Sequence, residues 1–205
     1  MNARRVNRAA YFLSWAQGNE ASPADGVRRK IGEQIRNWRS FGIEVRLFVN
    51  ARRDCRDAWL KEVEPHELFL SVEPGRTGRW RALNRVCHEI DSFRPDFVYL
   101  RQELFSPRLS KLMQRWPAFV ELNGDDVAEA RQVPLRKSYY WMYRAALRPA
   151  FFRNASGLVA VSHELATLPP FAQHRLPTTV IGNGIDLSRF EPLAAPAETE
   201  SPSLP

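Results

Sequence analysis

Asp125 is the carboxylate best placed to do chemistry in this sequence. It lies in Asn123-Gly124-Asp125-Asp126, just after the apolar run Ala118–Leu122. There it can take a proton from a hydroxyl or orient one, with the Asn123 amide beside it. Asp126 has another prospect. Asp126-Val127-Ala128-Glu129 has capping-box spacing, so Asp126 is expected to start a helix and leave Asp125 free. Arg101 and Glu103 follow the run Phe97–Leu100, and an arginine there suits a phosphate group. His163 follows Gly157–Val161 and Asn183 follows Thr178–Ile181; the first reads foremost as a helix-terminus residue, the second as a turn former.

What unites these positions is the run before each of them. The runs are short, rich in β-branched residues and bounded by turn signals, as strands buried in a parallel sheet are. Parallel α/β sheets bind ligands beyond the carboxyl ends of their strands, so the fold itself would gather Gly26, Arg101, Glu103, Asn123, Asp125, His163 and Asn183 at one edge.

The intervening segments read as helices. Val27, Ile31, Ile35 and Trp38 recur on one face from Gly26, with Arg28, Arg29, Lys30 and Glu33 outside it, and Ser40-Phe41-Gly42 ends that helix. Arg8–Ala16 and Ile43–Val49 flank it as strands, a β-loop-α-β opening. Ala51–Glu64 is charged and reads as irregular, before a short strand Glu67–Val72. Helices are expected over Gly78–Phe93 and Ser106–Trp116, the latter with Pro107 at its first position. Ser162 can cap a short helix after the Gly157–Val161 strand, with Glu164 in its first turn. The alternation predicts a single α/β, Rossmann-like, three-layer domain over residues 8–190 with a mostly parallel sheet. Residues 191–205, proline-rich among Ala, Glu, Ser and Thr, read as a disordered tail or the start of an interdomain linker.

Composition narrows the class. A hydrophobic content of 44% and a charged content of 26% suit a soluble globular domain. The net charge of +7 favours anionic partners without naming one. Cys55 and Cys87 fit no ligand or disulfide pattern, which suits a reducing cytosol, and His66, His88 and His174 have no partners at metal spacing and read as surface residues. No apolar run is long enough to span a bilayer. Arg4, Arg5 and Arg8 precede a run too short and too polar for a signal peptide, so a first strand is expected there.

The end of the chain carries a resemblance. AVSHEL followed by VIGNGIDLSRFEP is similar to the close of the N-terminal domain in retaining GT-B glycosyltransferases of the group known as GT4. Gly26 and Phe41-Gly42-Ile43-Glu44-Val45 match the family's opening pattern, although Asp25 stands where its first glycine usually does. The resemblance implies an acceptor-binding half that takes part in sugar transfer from a nucleotide-sugar to a hydroxyl, without a metal or other cofactor, in glycan or polysaccharide biosynthesis. It also implies that Asn183 faces an interdomain cleft, that Asp125 takes any base role, and that a C-terminal domain or chain binds the donor. Glu121 and Glu129 have the E-x7-E spacing of the family's donor site, but that motif belongs to the C-terminal half and is not assigned here.

Lys137–Arg153 supports a different partner. Tyr140, Tyr143, Leu147 and Phe151 share a helical face, and Arg144 and Arg148 form an i, i+4 pair. Aromatics and cations so arranged suit an anionic membrane surface, while the plainer expectation is a core helix kinked at Pro149. Expected partners are therefore a sugar or lipid-linked acceptor and an anionic membrane, with no specific nucleic acid. The expected place is the cytoplasm, with the inner membrane face as the alternative. The rival readings are a stand-alone binding subunit and a peripheral membrane module without catalysis.

Overall fold

In the computed structural model, the described residues are 6–15, 25–73, 75–101, 103, 105–125, 127–128 and 141–182. Strand β1 (Arg8–Trp15) is followed by helix α1 (Asp25–Ser40) and β2 (Glu44–Ala51). Gly42 ends the α1 turn at φ 79°, a left-handed conformation that glycine adopts without strain, and its N–H donates to Arg39 O at 2.8 Å. A short helix α2 (Arg56–Trp59) and a 3-10 turn (Pro65–Glu67) lead to β3 (Leu68–Val72). Then come α3 (Gly75–Phe93), β4 (Phe97–Arg101), α4 (Pro107–Arg115) and β5 (Ala118–Leu122). A π-helical stretch (Tyr143–Leu147) runs into α5 (Arg148–Phe152), followed by β6 (Gly157–Ala160), α6 (His163–Thr167), α7 (Pro169–Ala172) and β7 (Thr178–Val180).

The strands form one sheet in the order β3-β2-β1-β4-β5-β6-β7, and every pairing is parallel. Alternate residues of each strand face opposite layers, so two cores form. Ala10, Phe12, Val98, Leu100, Val120 and Leu122 pack under α3, α4 and α5. Tyr11, Leu13, Leu47, Val49 and Tyr99 pack under α1 and the α2 segment. The expected three-layer α/β architecture is the observed one, with a parallel sheet. Arg8–Trp15 is a central strand, its apolar residues from Ala9 to Leu13 at most 1% exposed, which accounts for the short apolar run near the N-terminus.

Two local expectations are corrected. The stretch Ala51–Glu64 is not irregular throughout: α2 buries Trp59 completely, its ring edge-on to Trp15 at 5.2 Å. Arg28 does not lie on the outer face of α1. It is 6% exposed, paired with Asp25 and set 5.8 Å over the Trp15 ring. A guanidinium can be buried so because an aromatic face and a carboxylate replace water around it.

The tail 191–205 lies outside the described residues, as do Asn183 and Tyr140. Among the described residues no helix is long and apolar enough to cross a membrane.

Candidate active site at the carboxyl edge of the sheet

Strands β4 and β5 run in register, with Arg101 opposite Glu121. Both lie at the carboxyl ends of their strands, and Glu121 is 1% exposed. A carboxylate in that position must find partners, since an uncompensated buried charge is costly. It finds four. Lys30 Nζ donates to Glu121 Oε1 at 2.9 Å, and Arg101 Nη1 donates to the same oxygen at 3.3 Å. Tyr99 Oη donates to Oε2 at 2.9 Å and Tyr11 Oη at 3.4 Å. Burial alone would raise the Glu121 carboxyl, but the charge and hydrogen bond of Lys30, the charge of Arg101 and the Tyr99 hydroxyl outweigh it and hold the group below its ordinary value. Burial, then the neighbouring carboxylate, push both tyrosine hydroxyls up.

This cluster uses Arg101, which the sequence offered as a phosphate ligand, as a partner for Glu121. Glu103 is similarly engaged: its Oε1 accepts from the Ser14 backbone N–H near the end of β1. Asn123 Nδ2 donates to Glu121 O at 3.4 Å. Gly26 lies in the first turn of α1 with open space around it, for a Cβ built there would meet nothing within 4 Å. His163 is exposed at the start of α6, whose cap is Ser162: its Oγ accepts from Leu165 N at 3.2 Å. Glu164 in that first turn has its carboxyl lowered, chiefly by a backbone N–H.

The loop after β5 departs from the capping expectation. Asp125, expected to stay free, acts as a cap: its Oδ1 accepts from Val127 N at 3.0 Å and Ala128 N at 3.1 Å, while Asp126 and Glu129 lie outside the described residues. An aspartate one residue earlier reaches the second and third N–H groups of the turn, which the sequence spacing alone did not distinguish.

Asp125 also lines a cavity of about 200 Å³ together with Arg144, Arg148, Pro149, Gln173 and His174. This cavity unites residues that the sequence assigned to separate roles. The helix that supplies the arginines is locally π-wound, ahead of Pro149, which has no N–H to give and whose ring would clash with the carbonyl four residues back. Tyr143 is 2% exposed and Arg148 4%, so neither faces a membrane; both belong to the packed interior, as the core-helix alternative has it. Arg148 lies 4.8 Å over each of the Phe152 and Phe171 rings, and its Nη1 sits 2.8 Å from His174 Nε2. A guanidinium only donates, so His174 Nε2 accepts and the imidazole is neutral in this arrangement. His174, expected at the surface, is thus half-buried against Phe152 at 4.8 Å. Arg144 is exposed, 5.9 Å over Trp141, and it forms no ion pair with a carboxylate among the described residues.

Tyr11 and Tyr99 were not singled out by sequence, Lys30 was read only as an outer-face helix residue, His174 as a surface residue, and Glu121 only for an E-x7-E spacing that was not assigned. The available signal was Glu121 itself, a charge inside the otherwise apolar strand AFVEL. Among the described residues no group of three His, Cys, Asp or Glu side chains is placed to hold a metal ion. Both cysteines are buried and free; burial pushes the Cys55 thiol up to about 11 and Cys87 to about 12.

The chain is similar in fold to the lipopolysaccharide outer core galactosyltransferase WaaB in its apo form (TM-score 0.55, 12% identity, 88% of this chain and 46% of that one). It is also similar to Glycyrrhiza uralensis UGT73P12 complexed with glycyrrhetinic acid 3-O-monoglucuronide (TM-score 0.51, 10% identity, 87% of this chain and 49% of that one). The chain therefore spans less than half the length of each of these solved structures. No curated protein matches it in sequence. The family model described as Glycosyltransferase Family 4 matches residues 24–189, which takes in α1, the whole β4–β5 edge and the Asp125 cavity, and on that match the chain belongs to glycosyltransferase family 4.

Proposed function

We propose that this domain is the acceptor-side half of a glycosyltransferase that moves a sugar from a nucleotide-sugar to an acceptor hydroxyl. The observation that carries the reading is the cavity at the carboxyl edge, where the Asp125 carboxylate meets Arg144, Arg148 and His174. Such an edge is where parallel α/β sheets hold their ligands. In this reading Asp125 orients the acceptor hydroxyl and takes its proton, and the nucleotide is held by a second domain outside these residues, with no metal required. Arg101 and Glu103 then act from beneath the site, since Glu121 and the β1 backbone hold them.

The test is sugar transfer from a panel of nucleotide-sugars, with the chain alone and with the chain joined to a donor-binding domain. The chain alone is expected to bind acceptor and turn over little or nothing; the joined protein is expected to transfer. Robust transfer by the chain alone would overturn the division of labour. No transfer by the joined protein with any donor would overturn the transferase reading.

A further inference from the structure

Helices α3 and α4 lie side by side on one face of the sheet. Arg115 Nη1 at the end of α4 donates to Asp91 of α3 at 2.6 Å, and Trp116 Nε1 donates to the same carboxylate at 2.9 Å. Their outward side is of one sign. The two helices, of 19 and 9 residues, hold seven Lys or Arg and two carboxylates, a net +5 against +7 for the whole chain. Asp91 answers Arg115, Glu73 pairs with Arg85, and Glu89 is half-buried beside a groove along β3. Arg81, Arg108 and Lys111 are exposed and pair with no carboxylate among the described residues. Residues 126–140 carry three cations and two carboxylates by sequence, so they do not reverse the sign. On the other face of the sheet the cations of α1 are met within the fold: Arg28 by Asp25, Lys30 by Glu121, Arg39 by Glu67 and Arg36 by the Glu62 carbonyl.

Trp80 adds an apolar group to this face. It is 51% exposed in the second turn of α3. Trp80, Asn84 and Asp91 fall within about 40° of one another around the helix, so the indole lies on the side that meets α4. An exposed indole beside unpaired cations matches a bilayer interface, where Trp sits at headgroup level and cations meet acidic phosphates. We propose that the α3–α4 face docks on an anionic lipid surface through Trp80, Arg81, Arg108 and Lys111. A second copy of the chain fits this face poorly, because a two-fold contact would set the same cations against themselves. Both helices start from the carboxyl ends of strands, α3 after β3 and α4 after β4, so the docked face adjoins the edge that carries Asp125. An acceptor held in such a surface would reach that edge by lateral diffusion. The proposal goes beyond the transferase reading and needs no turnover.

The experiment sediments the 205-residue chain with vesicles of phosphatidylcholine, with and without phosphatidylglycerol, and titrates it with heparin, a polyanion that has no bilayer. The variants are Trp80→Ala and the pair Arg108→Gln with Lys111→Gln. The control removes the same charge from the other side of the sheet, Arg29→Gln with Lys61→Gln, both exposed. Circular dichroism confirms that each variant is folded. Binding is expected only with phosphatidylglycerol. The α4 pair should weaken it roughly thirtyfold, at about fivefold per cation, and the control pair should leave it nearly unchanged. Trp80→Ala should weaken vesicle binding about tenfold and leave heparin binding as it was. No binding to phosphatidylglycerol vesicles, equal loss in the two charge pairs, or vesicle binding unmoved by Trp80→Ala overturns the proposal. Heparin bound more tightly than the vesicles, and weakened by the α4 pair alone, assigns the face to a soluble polyanion and also overturns it. Failure of sugar transfer by the joined protein would strike the transferase reading and leave these results untouched.

Discussion

Two charged clusters flank the end of β5, one ahead of its last residue and one just beyond it, and they are built in opposite ways. Around Glu121 four donors, Lys30, Arg101, Tyr99 and Tyr11, converge on one carboxylate that is 1% exposed. Around Asp125 the walls are open to a cavity, and Arg144 reaches solvent. The buried cluster fixes the positions of α1, β1, β4 and β5 relative to one another. An open one keeps room for a ligand at some expense in stability. Variants should therefore divide cleanly, with stability effects at Glu121 and binding effects at Arg144.

The largest effect is expected at Glu121. Glu121→Ala strips the carboxylate from two cations and two hydroxyls, and breaking a buried pair from one side costs about 3–5 kcal/mol. Urea unfolding followed by circular dichroism measures this; a loss under about 1 kcal/mol would mean the cluster is solvated and the contrast is false. The pH profile sharpens the point. The folded Glu121 carboxyl is held below its ordinary value, so its contribution is fully present above the unfolded value near 4.3 and is lost as pH falls through the folded one. The stability gap between wild type and Glu121→Gln should then be flat at neutral pH and shrink on acidification. A gap that widened with acid would reverse the assigned sign.

Tyr99→Phe comes next. It removes one hydrogen bond to a charged acceptor, worth about 1.5–3 kcal/mol, without opening a cavity. Asp125 follows, and here the two kinds of effect can be separated within one residue. Asp125→Ala loses the cap and should cost about 1 kcal/mol, whereas Asp125→Ser keeps a capping oxygen and should restore most of it. If transfer by the joined protein falls in both variants alike, the carboxylate acts on the acceptor. If Asp125→Ser transfers as well as wild type, Asp125 is a cap and nothing more.

The same contrast explains what the sequence could and could not disclose. Strand and helix order was legible because it is written locally, in runs such as Gly157–Ala160 and in the 3.6-residue period of α1. The edge that collects Arg101, Asn123 and Asp125 followed from the parallel topology alone. The partners of those residues did not follow. Lys30 and Glu121 are separated by 91 positions, and Arg148 and His174 by 26. No period or motif links such pairs, since only the packed sheet brings them together. Arg28 shows the converse, where a charge suggested solvent and the Trp15 face claimed it. That Asp125 itself caps the following turn was missed as well, because capping-box spacing does not resolve one residue of register.

The smallest stability effect is expected at Arg144. Its guanidinium is exposed, touches the Trp141 ring at 5.9 Å and pairs with no described carboxylate, so Arg144→Gln should shift unfolding by no more than about 0.5 kcal/mol. Removing one of two guanidinium groups that line the same cavity lessens their mutual repulsion, which offsets the lost ring contact. The variant should thus be as stable as wild type while acceptor binding weakens. Marked destabilisation would place Arg144 in the same structural class as Arg101, a cation answered within the fold and not held for a ligand.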